Sequence, residues 1–244
     1  MKRTTLLILA VLCALAAVTQ VAAGSGPSAH KSTVTEVGSR AGNPAPACPG
    51  SGCRVVTRTS GYNRTVGKIL NPDTATATGR IVAFTLRIAH PTRSQRAYFS
   101  RNFGPGAQVQ ISILRAVTHR PSLTFRAVHV SEVFHIEPYM GKTAQFALDR
   151  SLPIKKGDIV AVTVPTWAPI LATNRSSSTS WRASRNAGQC GTTPNPKNDP
   201  NISDRNFADL QRATQHDSRG SDKRYRCVYG TAQLAYSATE VTTP

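Results

Sequence analysis

Trp167, Trp181, Arg182 and Arg185 lie close together in the chain. An indole beside guanidinium forks can stack on a sugar ring and grip a carboxylate or phosphate in two-pronged fashion. These four are the candidate ligand-binding residues. The same residues have a competing structural use, with the indoles as lids over the core and the arginine stems laid along apolar surface. Two tryptophans in the whole chain are few for a stacking platform.

Two other groupings carry chemistry-bearing side chains. His129, Ser131, His135 and Glu137 share one face of an extended strand, opposite the apolar one, where they could serve a metal or acid–base chemistry. Residues six apart on a strand are ~20 Å apart, however, so a single site would need the strand to bend. The stretch Asp199-Pro-Asn-Ile-Ser-Asp204, with Asp209, offers oxygens at alternate positions as a calcium loop does. It lacks the glycine of the sharp turn and carries Leu210 where a bidentate Glu would close the shell, so it reads as an Asn/Asp/Pro turn. There is no G-x-S-x-G elbow and no H-E-x-x-H helix. The acids of the strand segments are Glu132, Glu137, Asp149 and Asp158, and nothing marks two of them as a glycosidase pair. No catalytic residue, metal or cofactor is therefore expected. Asn63, Asn174 and Asn201 begin glycosylation sequons, a pattern common by chance.

The elements that must position these residues begin after an export signal. Lys2 and Arg3 precede an uncharged, mostly aliphatic run from Leu6 to Ala17, too short to span a bilayer, and Val21-Ala22-Ala23 supplies the small residues of a cleavage site. Residues 1–23 are read as a signal peptide cut after Ala23, giving a secreted, extracellular product without a membrane span. Loss of Lys2 and Arg3 lowers the formal charge from +18 to +16, still strongly basic. Such a surface attracts anionic polymers or glycans through a field that salt weakens. Arginine outnumbers lysine 22 to 8, a bias that a GC-rich genome also produces, and the charges are scattered. No signature of a nucleic-acid module appears, so specific nucleic-acid binding is not expected.

Removal of Cys13 with the signal leaves Cys48, Cys53, Cys190 and Cys227, an even number in an exported chain and hence two disulfides. Three pairings exist. The Pro49-Gly50-Ser51-Gly52 turn favours Cys48–Cys53, which leaves Cys190–Cys227 to close a long polar loop, a closure that stabilises by ~3–4 kcal/mol on the loop-entropy argument. The ligand spacing of a four-cysteine zinc site is absent.

Residues 24–47, rich in Gly, Ser, Pro and Thr, read as a disordered leader to a domain over 48–244. Beyond Arg54, short runs of Val, Ile, Phe and Thr alternate with turn residues, the pattern of an all-β antiparallel sandwich. Arg80–Ala89 places Val82, Phe84, Leu86 and Ile88 on one face, and Ala107–Val117 repeats the scheme with Val109, Ile111 and Ile113. Leu123–Ile136 is long enough to be bent or split. Thr143–Asp149 leads to the Lys155-Lys156-Gly157-Asp158 turn, and Ile159–Val164 is a continuous apolar run, as in a central strand buried on both faces. Tyr225–Tyr236 closes the series. No sustained helical period occurs in this core. The one short helix expected, over 204–213 with Ser203 as N-cap, falls in a polar insertion at 186–223.

The stretch from Phe146 through Gly157-Asp158-Ile159-Val160 to Val164-Pro165-Thr166-Trp167-Ala168-Pro169 and Trp181-Arg182-Ala183-Ser184-Arg185 resembles a group of exported β-sandwich proteins from actinobacteria. The likeness covers Cys53 to Tyr236 and implies a jelly-roll-like sandwich and a secreted life. It brings no activity and no catalytic residues. The sandwich plan is also similar to that of carbohydrate-binding modules, an analogy at the level of fold. The leading expectation is a non-enzymatic binding module for an anionic or glycan component of the cell envelope. A secreted hydrolase, with its site in the insertion or beside Trp167, and a structural or assembly module remain as alternatives.

Overall fold

Alternating side chains and cross-strand hydroxyl pairs draw about half of the described residues into extended structure. The computed structural model describes residues 32–38, 42–49, 52–185, 190 and 216–242, all within the compact unit Lys31–Pro244. The expected signal peptide over 1–23, the Asp199–Asp209 stretch and the helix expected over 204–213 lie outside the described residues.

The strands are β1 (Thr33–Val37), β2 (Val56–Val66), β3 (Ile69–Leu70), β4 (Gly79–Arg87), β5 (Gln108–Ala116), β6 (Thr124–Val130), β7 (Phe134–His135) and β8 (Thr143–Ile154). They continue as β9 (Ile159–Ala168), β10 (Leu171–Ala172), β11 (Ser180–Ala183), β12 (Asp222–Arg224), β13 (Cys227–Gly230), β14 (Gln233–Leu234) and β15 (Tyr236–Thr242). The smaller sheet runs β1-β15-β4-β8 and the larger β12-β6-β5-β9-β2-β11-β13, with β3 beside β2 and β7 beside β5; β10 and β14 form a separate pair. One apolar cluster joins the sheets face to face, with Ile81, Phe84, Leu86 and Phe146 of the small sheet meeting Ile111, Ile113, Val160 and Val162 of the large one. The fold is the all-β, jelly-roll-like antiparallel sandwich read from the sequence.

The expected alternation holds in β5 at Val109, Ile111 and Ile113 and slips in β4. In β4, Phe84 and Leu86 are fully buried, as expected, but the pairing with β8 shifts between Ile81 and Ala83. Toward β15, where Ala83 faces Thr239 and Ile81 faces Glu240, Val82 is the extra residue of a bulge and is only half-buried, while Ile81 takes the core position. The long Leu123–Ile136 segment splits into β6 and β7, and Ile159–Val164 is buried throughout within β9. Both disulfides form in the favoured pairing, Cys48–Cys53 and Cys190–Cys227.

Two expectations are corrected. The leader is not disordered over Thr33–Val37, which forms β1 and pairs with β15 from Thr33↔Thr242 to Val37↔Ala238. Its alternating Val34 and Glu36 suit an edge strand, and the Glu36 carboxylate accepts hydrogen bonds from the Ser237 and Thr239 hydroxyls. The core also contains a helix that periodicity does not announce, α1 (Arg93–Phe103). It is capped by a reciprocal pair, in which Gln95 N donates to Thr92 Oγ1 (3.2 Å) and Thr92 N donates to Gln95 Oε1 (2.8 Å). It buries only Gln95, Phe99 and Phe103, a narrow stripe on an otherwise polar helix.

Candidate functional site

The four residues singled out by type do not assemble into one exposed face. Trp167, on β9, has none of its surface exposed and packs on Phe99 of α1 with ring centroids 5.3 Å apart. Trp181, on β11, is 5% exposed and stacks on Tyr229 at 4.6 Å. Its ring fills the space over Gly61, where an added Cβ would come within 2.7 Å of it. Arg185 is 5% exposed and donates from Nη2 to the Thr57 carbonyl at 2.8 Å. Burial lowers its affinity for the proton, with Tyr229 acting in the opposite sense. Only Arg182 reaches solvent, and it does so on the opposite face of β11 from Trp181.

That face is the outer side of the large sheet. Arg182 pairs with Tyr62 of β2 and with Val228 of β13, so the three side chains share one side. Tyr62 packs there with Leu114, Ala127, Ile159, Ala161 and Tyr225 in a second small core. The β2–β11 register shifts between Ser180 and Trp181, which makes Arg64 the extra residue of a bulge. A bulge re-aims a side chain relative to regular alternation. Arg64 is exposed and near enough to act on both neighbours. Burial pushes the Tyr62 phenol up to about 12, while Arg182 and then Arg64 pull it down. Burial lowers the pKa of Arg182, and the like charge of Arg64 adds to that shift.

Arg182 is fixed as well as accessible, since its Nη1 donates to the Tyr225 carbonyl at 3.0 Å. Neither Arg64 nor Arg182 forms an ion pair among the described residues, whereas Arg115 and Arg126 are held by Asp158 (2.6 Å) and Asp222 (2.7 Å). Two guanidinia on adjacent strands, neither held by an acid among the described residues, can grip one carboxylate, phosphate or sulfate. Diagonal cross-strand neighbours lie about 7–8 Å apart at the backbone, within the reach of two arginine side chains toward a common anion.

A strap, residues 216–221, crosses the large sheet from β2 to β6. Asp217 N donates to Ser60 Oγ at 2.8 Å, and Gly220 N and Ala127 N exchange bonds with Ala127 O and Ser221 O. The Ser60 hydroxyl continues a row across three strands, Ser60–Thr163–Ser112, with both contacts at 2.7 Å. The Asp217 side chain is 1% exposed; Tyr225 Oη donates to its Oδ2, and its Oδ1 has no partner among the described residues. Burial pushes this carboxyl up to about 6, against the bonds from Tyr225 and Ser60. A matching acid–tyrosine pair lies on the inner side of β2. Asp73 Oδ2 accepts from Asn63 N (2.5 Å) and Tyr236 Oη (2.7 Å), its Oδ1 is likewise unpartnered, and burial pushes it up to about 7. These carboxyls hold structure in place and are closed to solvent.

The imidazole grouping does not converge. His129 sits on β6, Ser131 is buried and accepts from Ile111 N, His135 pairs with Gln108 from β7, and Glu137 opens a 3-10 turn. Among the described residues no three His, Cys, Asp or Glu side chains gather where a metal ion could be held. Burial lowers the His129 pKa, with Arg219 and Arg115 adding to the shift.

No family model, curated protein or solved structure matches this chain. Tyr62 and Arg64 were not legible as site residues, because β2 shows no apolar alternation.

Proposed function

We propose that this chain is an exported, basic, non-enzymatic β-sandwich, of the actinobacterial kind its 146–185 stretch resembles, and that it binds an anionic glycan or polymer of the cell envelope on the outer face of its large sheet. The observation that carries the reading is the Arg64–Arg182 pair, two exposed or half-exposed guanidinia on neighbouring strands with no acidic partner among the described residues. The formal charge, +18 for the whole chain and +16 without Lys2 and Arg3, supplies long-range attraction to such a polymer. Two disulfides suit an oxidising compartment, and among the described residues no helix is long and apolar enough to cross a membrane.

Binding to an immobilised polyuronate at increasing NaCl tests the reading. Wild type is expected to be retained at low salt and released as salt rises. The Arg64→Ala/Arg182→Ala variant should bind about 10-fold more weakly, the loss expected for two exposed ion pairs of up to about 1 kcal/mol each. Binding of wild type that ignores salt, or a folded double variant that binds as well as wild type, would overturn it.

A further inference from the structure

On the smaller sheet, away from the Arg64–Arg182 face, the ends of β4 and β8 enclose a cavity of about 160 Å³ lined by Ala45, Pro46, Arg87, Ile88, Ala89, His90, Gly141, Lys142 and Thr143. We infer that this cavity is a second, separate oxyanion site, which takes a single carboxylate or phosphate group through Arg87, His90 and Lys142.

The lining contains three cationic or protonatable side chains and no acid. Arg87 is half-buried and spends one nitrogen, Nη1, on the Asn43 carbonyl at 2.5 Å. Its Nε and Nη2 make no bond within the described residues, so they can present the two-pronged edge that carboxylates and phosphates accept. His90 and Lys142 are exposed at the mouth, and neither makes an ion pair among the described residues.

The frame is stiff. Ile88 N donates to Lys142 O at 3.0 Å and Gly141 N to Ala89 O at 3.1 Å, which ties the two strand ends together. Gly141, at φ +78°, lets the His90 ring lie against the backbone, since an added Cβ would stand 3.1 Å from its Nδ1. The opposite wall, Ala45 and Pro46, is pinned through the Arg87–Asn43 bond, through Gln233 Nε2 donating to Gly42 O (2.9 Å), and through the Cys48–Cys53 bridge. Preorganised donors lose less entropy on binding than mobile ones. The volume is below the several hundred Å³ of drug-sized pockets and suits one anionic group on a ring or chain end.

The test is a titration of the oxidised protein with sodium phosphate and, separately, with sodium acetate at low ionic strength, followed by amide chemical shifts. Saturable shifts are expected at Ile88–His90 and Gly141–Thr143. Response to phosphate alone, acetate alone or both each supports the site and names the group it takes. The His90→Ala/Lys142→Ala variant, which alters exposed side chains only, should weaken the response about 10-fold. The Arg64→Ala/Arg182→Ala variant should leave these shifts unchanged, so that failure of the large-sheet reading and failure of this one are distinguishable. No saturable shift at these amides, or shifts indifferent to the His90→Ala/Lys142→Ala change, would overturn the inference.

Discussion

Raising the pH from 4 to 8 should weaken this fold through Asp73 and Asp217, the opposite of what paired surface carboxylates do. Both are buried carboxyls, pushed up from 3.8 to about 7 and about 6 respectively, mainly by burial. In this window the folded chain keeps protons that the unfolded chain has released, so the free energy of unfolding falls as pH rises. The stabilisation is complete below the unfolded value near 4 and is lost as pH climbs through the folded values. At about 1.4 kcal/mol per unit, Asp73 accounts for about 4 kcal/mol and Asp217 for about 3 kcal/mol. The lowered His129 pKa works in the other direction, so single substitutions are needed to isolate each acid. Guanidinium unfolding of the oxidised protein, followed by far-UV circular dichroism at unit steps from pH 4 to 8, supplies the free energies. Asp73→Asn carries no titrating proton and should gain about 4 kcal/mol relative to wild type between the ends of the series. An identical pH dependence for wild type and Asp73→Asn would refute the reasoning, because a carboxyl that titrates alike in both states contributes no slope.

Two further outcomes follow from burial and connectivity. Replacing Cys190 and Cys227 with Ser removes a cross-link over 37 residues and should lower stability by about 4 kcal/mol on the loop-entropy argument, measured by the same unfolding assay. Trp167→Ala empties a fully buried site against Phe99 and should cost about 3–5 kcal/mol, with unchanged polyuronate binding by the folded fraction.

What was legible and what was not divides along physical lines. β4, β5 and β9 were readable because each buries Val, Ile, Leu or Phe, and burial of such side chains writes its period into the sequence. β2 was invisible for the converse reason. Its buried positions include Thr57, Thr59, Ser60, Gly61 and Asn63, and their polar groups find partners far along the chain, as in Thr59 with Ser184, Ser60 with Thr163 and Asn63 with the Leu234 backbone. A buried polar residue looks like a loop residue until its partner is known. The helix α1 was missed because its apolar stripe is only Phe99 and Phe103, although Thr92-Arg-Ser-Gln95 spells the capping box in full. The two tryptophans suggested a stacking surface, yet the same apolar area that would stack on a sugar is what drives them into the core.

By itself, the sequence determined the β class, the number of cysteines available for bridges and the excess of positive charge, since each depends on composition or on neighbours along the chain. Only the tertiary structure decided which charges act together. Arg182 was singled out beside Trp181, Trp167 and Arg185, but strand alternation sends it to the other face and burial removes the rest. Its cationic neighbour is Arg64, brought alongside by the β2–β11 pairing. Register between strands distant in the chain is set by how whole faces pack, and no local pattern carries that information.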